Sequence, residues 1–269
     1  MSLPDKAIHQ LSFPEMYERF LVAPLFQPFA EALLDAMAPK SGEWLLDVAC
    51  GTGIVARLAR QRVGDDARVV GVDSSEPMLA VARSVDPGID WRPGDAASLP
   101  LAEGEQFDLV TCHQGVQFFK DKPAAMVQFR RALAPGGRVA VAAWHHDREM
   151  PLAIALRQVA ERHLGPITDH RYGFGDATAL QSLVATAGFR EVRVDPVIRT
   201  IRFDDGSNFV RLNAMALVGM SPAAKSLAEE ERARVLDTII QESAGAVSNY
   251  RDGESLEFDA GSNVATGKG

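Results

Sequence analysis

One short stretch limits the possible folds of this chain more than any other. Trp44-Leu45-Leu46-Asp47-Val48-Ala49 is an apolar run of strand length, and Cys50-Gly51-Thr52-Gly53 follows it as a tight turn. A helical pattern then begins, with apolar residues at 54, 55, 58, 59 and 63. A buried strand that feeds a helix through a glycine turn brings backbone N–H groups close to a ligand with no side chain in the way. The unit makes sense only if repeated, because one strand and one helix cannot bury their apolar faces alone.

The repetition is present. Arg68–Asp73, Ile89–Arg92, Phe107–Cys112 and Arg138–Trp144 read as four more strands. Helical patterns lie over Glu76–Val85 and Pro123–Leu133, with Ser75 as the expected N-cap of the first and Ala134-Pro135-Gly136-Gly137 as the break after the second. Near-continuous apolar strands alternating with helices predict a mostly parallel sheet covered on both faces. After residue 145 the pattern changes. Met150–Leu164 and Asp176–Ala187 read as helices, and Phe189–Phe203 as a long strand interrupted by Pro196. Ser207–Met220 and Ser221–Ala246 read as two helical stretches, and Leu256–Thr266 as a strand returning to the sheet. The reading is one domain over 1–269: an N-terminal helical segment (1–40), a core (41–203), a helical cap insertion (204–250) and a last strand (251–269).

Composition narrows the partners. The 269 residues are 46% hydrophobic with a formal net charge of −8. No Lys/Arg-rich run offers the basic stripe that phosphate neutralisation needs, so nucleic acid is not the expected partner. The two cysteines, Cys50 and Cys112, form no CxxC pair, and His113, His145 and His146 lack ligand spacing, so no metal site is expected. No signal peptide and no membrane span are read, and the expected location is cytoplasmic. Monomer and homodimer both remain open.

Three polar points fall at carboxyl ends of adjacent strands, where doubly wound sheets hold ligands. They are the Gly51/Gly53 turn, Asp73 and Asp95-Ala96. Asp73 is placed to accept from ribose hydroxyls. Gly51-x-Gly53-x-x-Ala56 also satisfies a loose dinucleotide fingerprint, which keeps an NAD(P)-dependent oxidoreductase as an alternative. Asp47 argues against it, because a dinucleotide-binding strand stays apolar at that point.

Together, Leu46–Gly53, Gly71–Ser75, Gly94-Asp95-Ala96, Phe107–Val110 and Leu133–Gly137 resemble, in order and spacing, the motifs of the class I S-adenosylmethionine (SAM)-dependent methyltransferases. Within these, the chain is similar to the ubiquinone/menaquinone-biosynthesis type that acts on small molecules. The resemblance implies a Rossmann-like sheet of order 3-2-1-4-5-7-6 with an antiparallel last strand, SAM as cofactor and S-adenosylhomocysteine as product. It implies that Gly51 and Gly53 lie against the methionine part, with Asp47 near its ammonium. Asp73 and Ser74 would hold the ribose, Met78, Asp95 and Ala96 would contact the adenine, and His113 would line the sulfonium end. Met78 is equally readable as plain core.

The acceptor side is thinner in signal. His113 is the candidate base or acceptor-orienting group. Tyr17, Phe20, Gln114, Gln117 and His145 are candidates for binding a small-molecule substrate. His145 and His146, being adjacent, should point to opposite sides, so at most one enters the pocket. The cap insertion either covers the crevice or fills a hydrophobic edge. A SAM-binding protein without transferase activity is the alternative from another functional class.

Overall fold

The structure of the protein is a computed structural model that describes residues 10–269. Most of the Met1–Gln10 stretch, on which the absence of a signal peptide was read, lies outside the described residues.

Parallel pairing builds the sheet outward from β1 (Leu45–Val48), which is buried along its whole length. On one side lie β2 (Val69–Asp73) and β3 (Asp90–Pro93), and on the other β4 (Phe107–His113) and β5 (Leu133–Trp144). The long strand β8 (Ser255–Lys268) runs antiparallel between β5 and the edge strand β6 (Arg190–Phe203). Counted without the two-residue β7 (Arg251–Asp252), which pairs only with β8, the order is the implied one, antiparallel strand included. The chain steps outward from β1 to β3 and then crosses to β4. The order therefore reverses between β1 and β4, which opens a crevice at their carboxyl ends.

Strand alternation divides the core into two layers. Leu46, Val48, Val70, Val110, Val139 and Val141 face α5 (Lys122–Ala132) and α7 (Ala177–Thr186), where they meet Met126, Phe129, Leu180 and Val184. Leu45, Val69, Leu109, Ala140 and Ala142 face the other way. They meet Leu33, Leu34 and Met37 of α2 (Gln27–Met37), Val55 and Ala59 of α3 (Ile54–Val63), and Leu79 and Ala82 of α4 (Glu76–Val85). A third cluster joins α6 (Pro151–Leu164), α8 (Gly206–Met220) and α10 (Glu229–Ala246) through Val159, Ala160, Leu217, Val218 and Ile239.

Several local expectations are corrected. β5 starts at Leu133, which pairs with Phe107, and the Ala134–Gly137 turn is a bulge within the strand before Arg138 pairs with Leu109. Pro196 does not interrupt β6, since an edge strand needs only half of its N–H groups. Ser221–Ala246 is not one helical stretch. α9 (Pro222–Lys225), capped by the Ser221 hydroxyl, is separated from α10 by three residues. Ser75 precedes α4 but its side chain makes no cap.

The N-terminal helices form one continuous rod, Phe13–Met37. α1 (Phe13–Met16) passes through a π-helical stretch, Tyr17–Phe26, into α2. Pro24 lies inside the stretch, where its missing N–H removes one rung of an ordinary helical ladder. Contrary to expectation, this rod is long enough to cross a bilayer and holds an 18-residue window apolar enough to do so, with a mean hydropathy of 1.3. Its apolar face, from Phe29 to Met37, packs against the sheet.

Candidate active site

A cavity of about 670 Å³ occupies the crevice, and its floor is the turn after β1. Pairing in register puts Thr111 beside Asp47, and the Thr111 hydroxyl donates to Asp47 Oδ1 at 2.9 Å. Asp47 is 1% exposed, and burial pushes its carboxyl up to about 7, against the pull of the Thr111 and Ala56 hydrogen bonds. The loop next binds Asp73, whose Oδ2 accepts the Gly51 N–H at 2.8 Å while Oδ1 accepts the Ser75 N–H at 2.8 Å. Burial raises the Asp73 carboxyl above its ordinary range, and these N–H donors oppose that shift.

The two turn glycines have different reasons. Gly51 has φ +55° and open space where a side chain would stand, so its surface belongs to the cavity. Gly53, expected to lie against the ligand, does not line the cavity. Its φ is +91°, and the place of a Cβ is taken by the Trp91 ring of β3. It is required for packing.

Ser74 on the turn after β2, Met78 in the first turn of α4, and Asp95 and Ala96 on the turn after β3 line the cavity together. Asp95 Oδ1 accepts the Ala97 N–H at 2.8 Å, which fixes that turn.

The opposite wall comes from the end of β4. His113 is 8% exposed, its Nε2 is buried without a partner, and its ring meets Phe26 edge-on at 6.3 Å. Burial lowers its imidazole to about 3, so it is neutral at physiological pH. Gln114 turns through φ +55°, which sends its Nε2 to the Ser262 hydroxyl at 2.9 Å. Ser262 spends its own proton on the Ala143 carbonyl, and Gln117 Nε2 donates to the Gln114 carbonyl at 2.8 Å. Both amides are thus oriented by their partners. Gln114 Oε1 and Gln117 Oε1 stay buried and unpaired, and both residues line the cavity.

Tyr17, Phe26 and Trp144 roof this wall, with ring centroids 4.8 Å apart for Tyr17–Phe26 and 5.8 Å for Phe26–Trp144. Behind them an apolar recess of about 100 Å³ extends to Phe209, Leu212, Asn213 and Ala216 of α8. Ala216 and Met220 also line the main cavity, so part of the inserted helices does cover the crevice.

Two substrate candidates lie elsewhere. Phe20 does not line the cavity but packs beneath the Arg19 guanidinium in the aromatic cluster. His145 also lies outside it, its ring against Gly261 of β8 and its Nδ1 3.4 Å from Glu149. His146 is half-exposed and sits 2.7 Å from Asp147, so neither histidine enters. Thr111, Asn213 and Arg171 carry no motif or spacing that marks them in the sequence. Arg171 stands in a stretch without regular pattern, and only the fold brings it to line the cavity. No cluster of His, Cys, Asp and Glu able to hold a metal occurs among the described residues.

A doubly wound sheet with an open glycine turn and an acidic second strand end defines a nucleoside-binding α/β enzyme. Residues 46–141 match the family model described as a methyltransferase domain. The chain is 31% identical to the 2-phytyl-1,4-naphtoquinone methyltransferase of Thermosynechococcus vestitus, over 73% of this chain and 89% of that protein. It is 35% identical to the nocamycin O-methyltransferase of Saccharothrix syringae, over 62% of this chain and 66% of that one. Among solved structures, the phosphoethanolamine N-methyltransferase 2 of Haemonchus contortus, in complex with S-adenosyl-L-methionine, shares the fold at a TM-score of 0.55 and 18% identity, covering 95% of this chain and 55% of that one. The chain belongs to the class I SAM-dependent methyltransferases, and within them it is similar to the quinone-biosynthesis type. It is a SAM-dependent enzyme that methylates a small molecule, which sets aside both the oxidoreductase and the non-catalytic reading.

Proposed function

We propose that the acceptor is a small, ring-bearing molecule held beneath Tyr17, Phe26 and Trp144, with its reacting atom toward His113. One observation carries this reading. Three buried unpaired polar atoms, His113 Nε2, Gln114 Oε1 and Gln117 Oε1, share a cavity with Gly51 and Asp73 and lie next to an aromatic roof. Buried polar atoms of this kind ask for a ligand partner. The naphtoquinone in the name of the first relative fits a ring acceptor.

The residues present suit the cofactor. The open surface at Gly51 and the buried Asp47 carboxylate suit its amino-acid end. Each Asp73 oxygen has a lone pair left for ribose hydroxyls, and Ser74 stands beside it. Met78, Asp95 and Ala96 form the purine end. When bound, S-adenosylmethionine supplies a methyl group already activated on a sulfonium sulfur.

The protein then has to align the acceptor and exclude water, contributions that together reach about 7–11 kcal/mol of barrier lowering. The roof and α8 enclose the acceptor, and the two amide oxygens receive its hydrogen-bond donors. His113 orients the acceptor and is too weakly basic to deprotonate it efficiently. A cytoplasmic location belongs to this reading and agrees with two buried, unpaired cysteines. A monomer or homodimer suffices, since every residue assigned a role comes from one chain.

The test is methyl transfer from labelled SAM to a panel of bicyclic phenols and quinols, with aliphatic amines and thiols as comparators. Methylation of ring acceptors is expected. Transfer confined to the aliphatic compounds would overturn the reading.

A further inference from the structure

Among the described residues, Arg171 is the one largely buried cation on the acceptor side, its side chain 21% exposed. The other cavity-lining cation, Lys120, is exposed. Arg171 belongs to the 3-10 turn His170–Tyr172, which Asp169 caps by accepting the Arg171 N–H at 3.1 Å. The same carboxylate grips the guanidinium side-on, Oδ1 taking Nε at 2.8 Å and Oδ2 taking Nη2 at 2.6 Å. The Asp169 side chain is 1% exposed, so this grip is shielded from water and fixes the fork. Nη1 is left without a partner among the described residues.

The free edge matters because of its position. Arg171 lines both the main cavity and the apolar recess, at their junction. In the recess, Asn213 of α8 is 5% exposed and its Oδ1 has no partner. Most of the rest of the lining is hydrocarbon and aromatic: Leu21, Leu25, Met150, Phe209 and Phe258. Arg171 is thus the one cation lining this largely apolar recess among the described residues, and the unpaired Asn213 Oδ1, an acceptor, is left to receive a donor on the same ligand. The ligand matching such a wall has an apolar ring body and one oxyanion, because a fixed guanidinium edge in low dielectric discriminates by charge.

We propose that Arg171, held by Asp169, is the oxyanion receptor of the acceptor site, so that this enzyme selects a ring-bearing acid, an enol, phenol or carboxylic acid bound as its anion. The assignment rests on the reading that the acceptor lies beneath the aromatic roof. It also accounts for a neutral His113, since an acceptor that arrives ionised needs no base from the imidazole.

The test is equilibrium titration of the full chain, saturated with S-adenosylhomocysteine, at pH 7.5. The probes are 2-hydroxy-1,4-naphthoquinone, which is ionised there, 1-naphthoate, and neutral 2-methoxy-1,4-naphthoquinone. At least one anion should bind ten-fold or more tightly than the neutral probe, and which one does identifies the oxyanion. The preference should vanish in the D169N/R171Q double variant, which removes both charges and leaves no buried carboxylate unpaired. An unchanged melting shift with S-adenosylhomocysteine would establish that the variant is folded. Equal affinities in the wild type, or a preference that survives in the folded double variant, would overturn the proposal. A wild-type arm serves even if the variant does not fold: acidification that neutralises the hydroxyquinone must abolish its advantage, and persistence of that advantage counts against Arg171. Failure of S-adenosylhomocysteine itself to bind would instead undo the cofactor site. Anion selectivity with no methylation of any ring acceptor would undo the roof reading.

Discussion

The Gly51 N–H donates to Asp73 Oδ2 at 2.8 Å, tying the turn after β1 to the end of β2. The same carboxylate proposed to hold the ribose therefore also fixes the glycine turn after β1. Asp73→Ala should weaken S-adenosylhomocysteine by roughly 1.5–3 kcal/mol, or about ten- to a hundredfold, through loss of charge-assisted hydrogen bonds. Calorimetric titration measures this, and unchanged affinity would remove Asp73 from the site.

The two glycines of the turn should respond differently to alanine. Gly53→Ala drives a methyl into the Trp91 ring at a left-handed φ, and should cost about 2–4 kcal/mol of stability. Gly51→Ala meets open space and should cost about 1 kcal/mol, its main effect falling on cofactor affinity. Chemical denaturation of both variants, with titration of the second, separates packing from binding.

Asp47 carries a pH signature. Its carboxyl is raised to about 7 in the folded protein, above the 3.8 of an ordinary aspartate. A raised folded value means that its stabilising contribution is full below the ordinary range and is lost as pH climbs through about 7. The melting temperature of the ligand-free protein should therefore fall between pH 5 and pH 8 by more than that of Asp47→Asn. If Asp47 faces the cofactor ammonium, binding at pH 6 should also release a proton, seen as a buffer-dependent heat. That dependence should be absent in the variant.

His113 should be silent in the pH–rate profile. With its imidazole lowered to about 3, turnover at saturating SAM should show no ionisation near the ordinary histidine value of 6.5. His113→Gln should lower kcat while leaving S-adenosylhomocysteine affinity within about twofold. A limb near 6.5 that disappears in the variant would restore the role of base.

The cofactor side was readable because it is local. A strand, a turn and the next strand end each bring a residue to the crevice by sequence position, so Gly51, Asp73 and Asp95 could be named from spacing and Asp47 from the family resemblance, and all four line one cavity. The packing of Gly53 was not readable in this way, because its constraint comes from Trp91, a residue 38 positions away that only sheet pairing brings beneath it. His145 misled for a related reason. Adjacency to a strand end predicts nearness to the crevice, but side-chain direction depends on what β8 offers next to it, and that is Gly261.

The sequence by itself determined the sheet, the glycine turn and the chemistry of the methyl donor, because hydrophobic period and turn composition act over a few residues. Tertiary structure decided the acceptor site. The walls of the proposed site come from the π-helical stretch, the ends of β4 and β5, the loop carrying Asp169 and Arg171, and α8, five segments spread from Tyr17 to Met220. No periodicity links them, and their polar atoms become a site only when burial leaves them without water to bond.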